Sequence, residues 1–418
     1  MHIVALDIGS YKIKAFLAEI DKNGKPFLID VLEEYSSGIR KGEIVDINEA
    51  SIPLEKIFEK IKTKDKTAIN NIFVNVGGAN IKCQNSRGII AVSRADNEIS
   101  QDDIDRVVKA SQAIKLLPNR MIIHNITREY IIDGINDVRE PLGMSGTRLE
   151  VNSLVIDVFS SNVKNLINLI ESLGGSVSGL VYNPLAASRS VLTKGSKDLG
   201  VVLIDIGAGT TSLSVYDEGK LVHAMSFPMG SSNITNDLAV GLKCSIALAE
   251  IIKIFFGRAI SAEAPAKDRI TLKDIHEKSG FEANILDKNF KSSISVRFVA
   301  EIIESRLEEI FELINRELKM LNKYGQLPAG AILCGGGAKM SGIVDLAKKE
   351  LKISSDIGLP ETKELEIYHQ DFENSINEPE FATATGLLYY GMDQCAKESS
   401  WLIGENFSFK KVLKYFMP

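Results

Sequence analysis

Apolar and polar positions along this chain follow two periods, and each change of period marks an element. An apolar run from Ile3 stops at Asp7, and after Gly9 and Ser10 the pattern resumes with Ile13, Ala15 and Leu17 on alternate positions. The same happens from Val201. The run reaches Asp205, passes Gly207, Ala208, Gly209 and Thr210, and continues with Leu213 and Val215 alternating against Ser212 and Ser214. Period two predicts strands, so each Asp-Ile-Gly turn is expected inside a β-hairpin. Helical spacing appears elsewhere. Ser100 with Asp103 has the form of a capping box, and Ile104, Val107, Val108, Ser111 and Ile114 then share one helical face. Val299, Ile302, Ile303, Leu307, Ile310, Ile314, Leu318 and Leu321 make the stripe of a long amphipathic helix, read as core. "MIIHNIT" and "RLEVNSLVIDVF" read as strands, and "NVKNLINLIESLGG" as a helix stopped by Gly174 and Gly175.

The hairpins set the chemistry. A Rossmann turn or a P-loop leads from strand through glycines into a helix, and a strand follows here, so both are excluded. Overlaying "ALDIGSYKIKAFL" on "LIDIGAGTTSLSV" matches strand, turn and strand in order. Two copies about 200 residues apart imply a duplicated fold whose halves face one another across a ligand. Glycines let backbone N–H groups approach phosphate oxygens. Ser10, Thr210 and Thr211 add hydroxyls, and Lys12 adds positive charge. Asp7 and Asp205 suit the outer shell of a hydrated Mg²⁺ that bridges to phosphates.

A third cluster, Gly335, Gly336 and Gly337 followed by Ala338, ends an apolar strand and precedes a helix expected from about Ser341. Gly230 again stands before a predicted helix. Glu250 and Lys253 lie one turn apart on another, either as a surface ion pair or as a contact to ribose and base.

Size and charge narrow the class. With 418 residues, 44% hydrophobic and 25% charged, the chain exceeds one ordinary core. A net charge of −6 argues against coating nucleic acid. No apolar run is long enough to span a membrane, and Asp7 interrupts any leader-like stretch. Cys83, Cys244, Cys334 and Cys395 are scattered without CxxC spacing, which speaks against zinc or a disulfide framework. His124 reads as a structural histidine.

The order DIGS, DIGAGTT, AEIIK, CGGGAKMSG resembles the actin-like nucleotide-binding superfamily. Within it, "VGGANIKCQNSRGIIAVS", "EISQDDIDRVVKAS", "REYIIDG", "PLGMSGTRLE" and "EFATATGLLYYG" resemble the bacterial cell-division FtsA family over nearly the whole chain. The resemblance implies an α/β, actin-like duplicated ribonuclease-H-type fold: two lobes around a nucleotide cleft, with an FtsA-type α+β insert, subdomain 1C. It divides the chain into 1A (1–79, 159–190 and a return at 363–391), the 1C insert (80–158), 2A (191–230 and 323–362) and 2B (231–322), then a linker (392–406) and an amphipathic helix (407–418). The segments 178–192 and 383–391 become the two helices connecting the lobes.

By the same resemblance the cofactors are ATP and Mg²⁺. The chain self-assembles as an actin-like filament, 1C meets other division proteins, and 2B receives the C-terminal peptide of FtsZ, with Lys291, Arg297 and Arg306 as basic candidates. Asp205 takes a catalytic role. Asn183 stands where actin-like hydrolases carry a Gln or Glu that orients the attacking water. An amide orients water but accepts a proton poorly, so binding with slow turnover is expected.

In the tail, Phe409, Val412, Leu413 and Phe416 oppose Lys410, Lys411 and Lys414. The residues alone allow a helix on an anionic membrane or one packed back on the protein. The family's C-terminal anchor favours the membrane, and with it the cytoplasmic face of the inner membrane at the division site. Two other readings stand beside this one: a PilM-like pilus-assembly protein, which lacks its own anchor, and a small-molecule kinase of the superfamily, which needs a carboxylate base.

Overall fold

The structure, a computed structural model, describes residues 1–21, 25–265, 267–281, 293–367, 372–373 and 376–401. The chain opens with β1 (His2–Ile8), β2 (Lys12–Ile20) and β3 (Pro26–Tyr35), continues through α1 (Ile47–Lys64), and returns as β4 (Ile72–Val76). Then comes the insert: β5 (Lys82–Ala91), α2 (Gln101–Ser111), β6 (Arg120–Ile132), β7 (Ile135–Val138) and β8 (Arg148–Phe159). After α3 (Ser160–Ser172) and β9 (Val177–Tyr182), the helix α4 (Asn183–Val191) leads to the second lobe.

That lobe repeats the plan with β10 (Val201–Ile206), β11 (Thr211–Asp217) and β12 (Lys220–Phe227). The helices α5 (Ser231–Leu242), α6 (Ile246–Phe256), α7 (Leu272–Ser279) and α8 (Val296–Met320) form its outer arm. It closes with β13 (Ala331–Cys334), α9 (Ile343–Leu351) and β14 (Ser355–Ile357). The chain then crosses back through β15 (Glu366–Ile367) and α10 (Ala382–Trp401).

The duplication is visible strand by strand. The first sheet runs β9-β4-β1-β2-β3-β15 and the second β14-β13-β10-β11-β12. In each, the hairpin strands pair antiparallel and the two strands on the other side pair parallel. β1 is buried from Ile3 to Ile8 and β11 from Thr211 to Tyr216, as expected where a sheet is covered on both faces. On α8, Val299, Ile303, Leu307, Ile310, Ile314 and Leu318 are buried in the second lobe's core. Leu321 is the residue that caps this helix.

In the insert, Ile104 and Val107 of α2 pack on Leu149 and Val151. The capping box forms: the Ser100 N–H donates to Asp103 Oδ2 at 3.0 Å, and the Asp103 N–H donates to Ser100 Oγ at 3.4 Å. Ile114 lies beyond the end of α2, which stops at Ser111, so it does not extend the helical face. His124 is half-buried and its Nε2 accepts the Tyr182 N–H at 3.0 Å. Burial pulls this imidazole down to about 4, so it is neutral, as a structural histidine should be.

The insert also reaches the second lobe. Arg128 of β6 donates to the carbonyls of Leu221, at 2.8 Å, and Val222 on the edge strand β12, and Lys220 bonds Asp137 at 2.7 Å. An exposed sheet edge is thereby covered.

The expected linker is different. Residues 392–401 continue α10 without a break, because "MDQCAKESSW" carries neither Gly nor Pro to stop a helix. The tail residues Phe409, Lys410, Lys411, Val412, Leu413, Lys414 and Phe416, and Lys291, lie outside the described residues.

Candidate functional site

The two Asp-Ile-Gly turns close in the same way. The Gly9 N–H donates to Lys12 O at 3.2 Å and the Gly207 N–H to Thr210 O at 2.9 Å. Strand register then sets Asp7 opposite Lys14 and Asp205 opposite Ser212. The tips meet across the lobes. A Cβ on Gly209 would stand 2.8 Å from Ser10 Oγ and 2.9 Å from Lys41 N, so glycine is what allows the approach. Between them a Lys41–Gly42 turn, with φ of 50° and 73°, gives its Gly42 N–H to Ser10 Oγ at 2.9 Å.

Asp7 and Asp205 form the floor. Burial pushes the Asp7 carboxyl up to about 6, with the Lys14 ammonium opposing. Asp205 is also pushed up to about 6, by burial and then by the Asp7 charge, while Lys14 and a hydrogen bond from Thr383 oppose. Lys14 is buried, hydrogen-bonds the Glu380 carbonyl and lies 4.8 Å from the Phe381 ring centre. Two carboxylates facing one ammonium, Asp7 buried and Asp205 half-buried, leave negative charge uncompensated, which a cation would relieve.

Around the floor is a cleft of about 1150 Å³, lined by both turns, Gly335 to Gly337, Glu250, Lys253, Asn183 and Thr383. Gly335, at φ 82°, packs on Asp205, where any Cβ would fall on the carboxylate. Lys253 is buried and bonds Glu250 at 2.7 Å and Thr235 at 2.9 Å, so the pair is an ion pair built into the wall. Asn183 opens α4, and its buried amide oxygen has no partner among the described residues.

Most residues expected at the site come together: Asp7, Gly9, Ser10, Lys12, Asp205, Gly207, Gly209, Thr210, Glu250, Lys253 and the three glycines line one cavity. Three do not reach its wall. Thr211 starts β11 and its side chain is wholly buried. Gly230 sits behind the turn, where the N–H groups of Ser231 and Ser232 bond the carbonyls of Gly207 and Ala208, both at 2.9 Å. That helix N-terminus braces the turn with its first N–H groups, while Ser231 and Ser232 line the cleft. Ala338 is the buried residue of the 3₁₀ turn Gly336–Lys339.

Lys12 lines the cleft but is engaged by Glu33 at 2.8 Å, and the more enclosed cation is Lys14, absent from the sequence reading. Of the basic residues on the arm, Arg306 is tied to Asp237 at 2.6 Å and to Glu309, while Arg297 donates to Ala264 O at 3.4 Å.

Two duplicated lobes, an Asp-Ile-Gly hairpin in each and a cleft between them define the actin-like ATPase fold. Solved structures share it at low sequence identity. The PilM–PilN type IV pilus biogenesis complex aligns with TM-score 0.64 and 16% identity, covering 94% of this chain and 99% of that one. MreB5 of Spiroplasma citri bound to AMPPNP aligns with TM-score 0.56 and 13% identity, covering 95% and 97%.

Sequence comparison goes further. "Cell division protein FtsA" matches residues 202–386, and "SHS2 domain inserted in FTSA" matches 78–157. The FtsA of Pseudomonas aeruginosa is 31% identical over 392 residues, covering 94% of this chain and 89% of its own length. That of Bacillus subtilis is 32% identical over 387 residues, covering 93% and 82%. The chain belongs to the FtsA family of cell-division proteins.

Proposed function

We propose that this chain binds ATP with Mg²⁺ between its lobes and acts as an FtsA-type adaptor. In this reading it self-assembles as an actin-like polymer and tethers FtsZ filaments to the cytoplasmic membrane at the division septum. The observation that carries the nucleotide part is the pairing of Asp7 and Asp205, delivered to one buried floor by two hairpins of matching register. Family membership supports the cell-division part.

The donor set fits magnesium. Two hard carboxylates stand beside two glycine turns that line the cleft, and no cluster of three or more His, Cys, Asp or Glu that could hold a metal alone exists among the described residues. Asp7 and Asp205 would hold the hydrated ion through its waters. When bound, the ion would supply positive charge against the phosphates. The backbone of both turns grips phosphates, Lys14 adds charge at the floor, and Asn183 orients a water without removing its proton. Turnover is accordingly slow. A ligand gripped by both lobes favours the closed cleft, and this difference in affinity is what biases assembly.

Calorimetry tests the nucleotide reading. Mg-ATP titrated into the protein should release heat, and Asp205→Ala should remove most of it. An unchanged signal in the variant would overturn the assignment. A pull-down with an FtsZ C-terminal peptide tests the adaptor role, and no retention would remove it.

A further inference from the structure

Asn75 is the one polar side chain on β4 that meets the floor of the cleft, and it touches Asp7. Pairing of β1 with β4 is recorded from Val4–Ile72 to Leu6–Val74, so Ile8 lies past its end. The Asn75 side chain takes over there: its Oδ1 accepts the Ile8 N–H at 2.7 Å and its Nδ2 donates to Asp7 Oδ1 at 2.8 Å. The residue is 3% exposed. This pattern fixes the amide's orientation, since a flip would set oxygen against carboxylate and NH₂ against N–H.

The duplicated lobe serves as an internal control. There β13 runs beside β10 in the same sense, and the residue paired with Asp205 is Cys334. That thiol is fully buried, and the hydrogen bond to Asp205 comes instead from Thr383 on α10. The fold therefore does not require an amide at this strand position. A buried amide is costly unless bonded at both ends, and here one of its two ends is committed to the carboxylate.

We infer that Asn75 is a positioning residue for the magnesium half of the site. It holds one oxygen of Asp7 and so turns the other toward the ion's water shell. This rests on the nucleotide reading above and deepens it. Groups that orient the carboxylates of a metal site act on metal affinity with little effect on the rest of the ligand. Asn75 should therefore govern how much magnesium strengthens nucleotide binding, and not the binding of nucleotide alone.

The test is calorimetric titration of ADP in EDTA and in magnesium chloride, on the full chain and on Asn75→Leu. The expected result is a metal-free Kd within about twofold of the parent, with the magnesium-dependent gain reduced about tenfold or more. Melting of the nucleotide-free variant establishes that it is folded. Should Asn75→Leu fail to fold, Asn75→Thr places a β-branched residue that favours the strand and gives the same comparison. Equal losses with and without magnesium mean a purely structural residue and overturn the inference, as does no change in either. A parent protein that binds ADP without any magnesium gain, or does not bind it, overturns the nucleotide reading itself, and this is seen before any variant is made.

Discussion

Gly386 of α10 lies backbone to backbone on Ala186 of α4, and a Cβ there would fall on the Ala186 carbonyl oxygen. The two helices joining the lobes therefore cross as closely as the chain allows. Glycine inside a helix ordinarily costs about 0.5–1 kcal/mol relative to alanine, so Gly386→Ala would normally stabilise. Here the opposite sign is expected: a loss of about 1–3 kcal/mol from overpacking. Urea unfolding followed by circular dichroism reads it as a lower midpoint.

The floor carboxylates give a pH signature. Asp7 and Asp205 both rise from an ordinary 3.8 to about 6. A carboxyl whose folded value is raised contributes stability that is full below the unfolded value and lost as pH climbs through the folded one. The nucleotide-free protein should weaken between about pH 4 and pH 7 on this account. Asp205→Asn removes one charge and relieves Asp7. It should stabilise the apo protein by on the order of 1–3 kcal/mol near pH 7.5 and by little near pH 4. Thermal melting of both proteins at the two pH values isolates the difference, because the other titrating groups are common to both.

Arg128 clips the insert to the far lobe through the carbonyls of Leu221 and Val222. Arg128→Ala leaves those acceptors on an uncovered edge strand and frees the insert on that side. Amide hydrogen exchange in residues 120–138 should speed up about tenfold, while β1 and β10 stay protected. Unchanged exchange would show that the clip holds nothing.

The basic-apolar segment from Phe407 to Pro418 is expected to bind anionic membrane, weakly per copy because it is short. Deleting it should abolish co-flotation with vesicles containing anionic lipid and leave Mg-ATP binding intact. Full retention by the truncated protein would assign membrane attachment to another part of the chain.

Much of the site was legible because hairpins are local. Alternation fixed the strands, and the turn length brought Asp7 and Asp205 to equivalent places. The same logic contained Lys14, since a turn closed from Gly9 to Lys12 places residue 14 opposite residue 7. Lys12 drew attention through its nearness to the turn, yet Glu33 on the neighbouring strand claims it. Thr211 looked like a hydroxyl donor in a polar run, but the first position of β11 points into the core. Asn75 and Thr383 could not be read at all. They arrive from strands and helices distant in sequence, and only the tertiary fold places them beside the aspartates. The linker at 392–406 rests on the resemblance alone, and in its described part, 392–401, no Gly or Pro stops the helix.

The helix α10 begins at the cleft, where Ala382 and Thr383 line the cavity, and runs unbroken to Trp401. Twenty residues of helix make a rod about 30 Å long. The far end of this rod at Trp401 thus stands at a distance from the cleft floor beside Asp205 that is set by helix geometry.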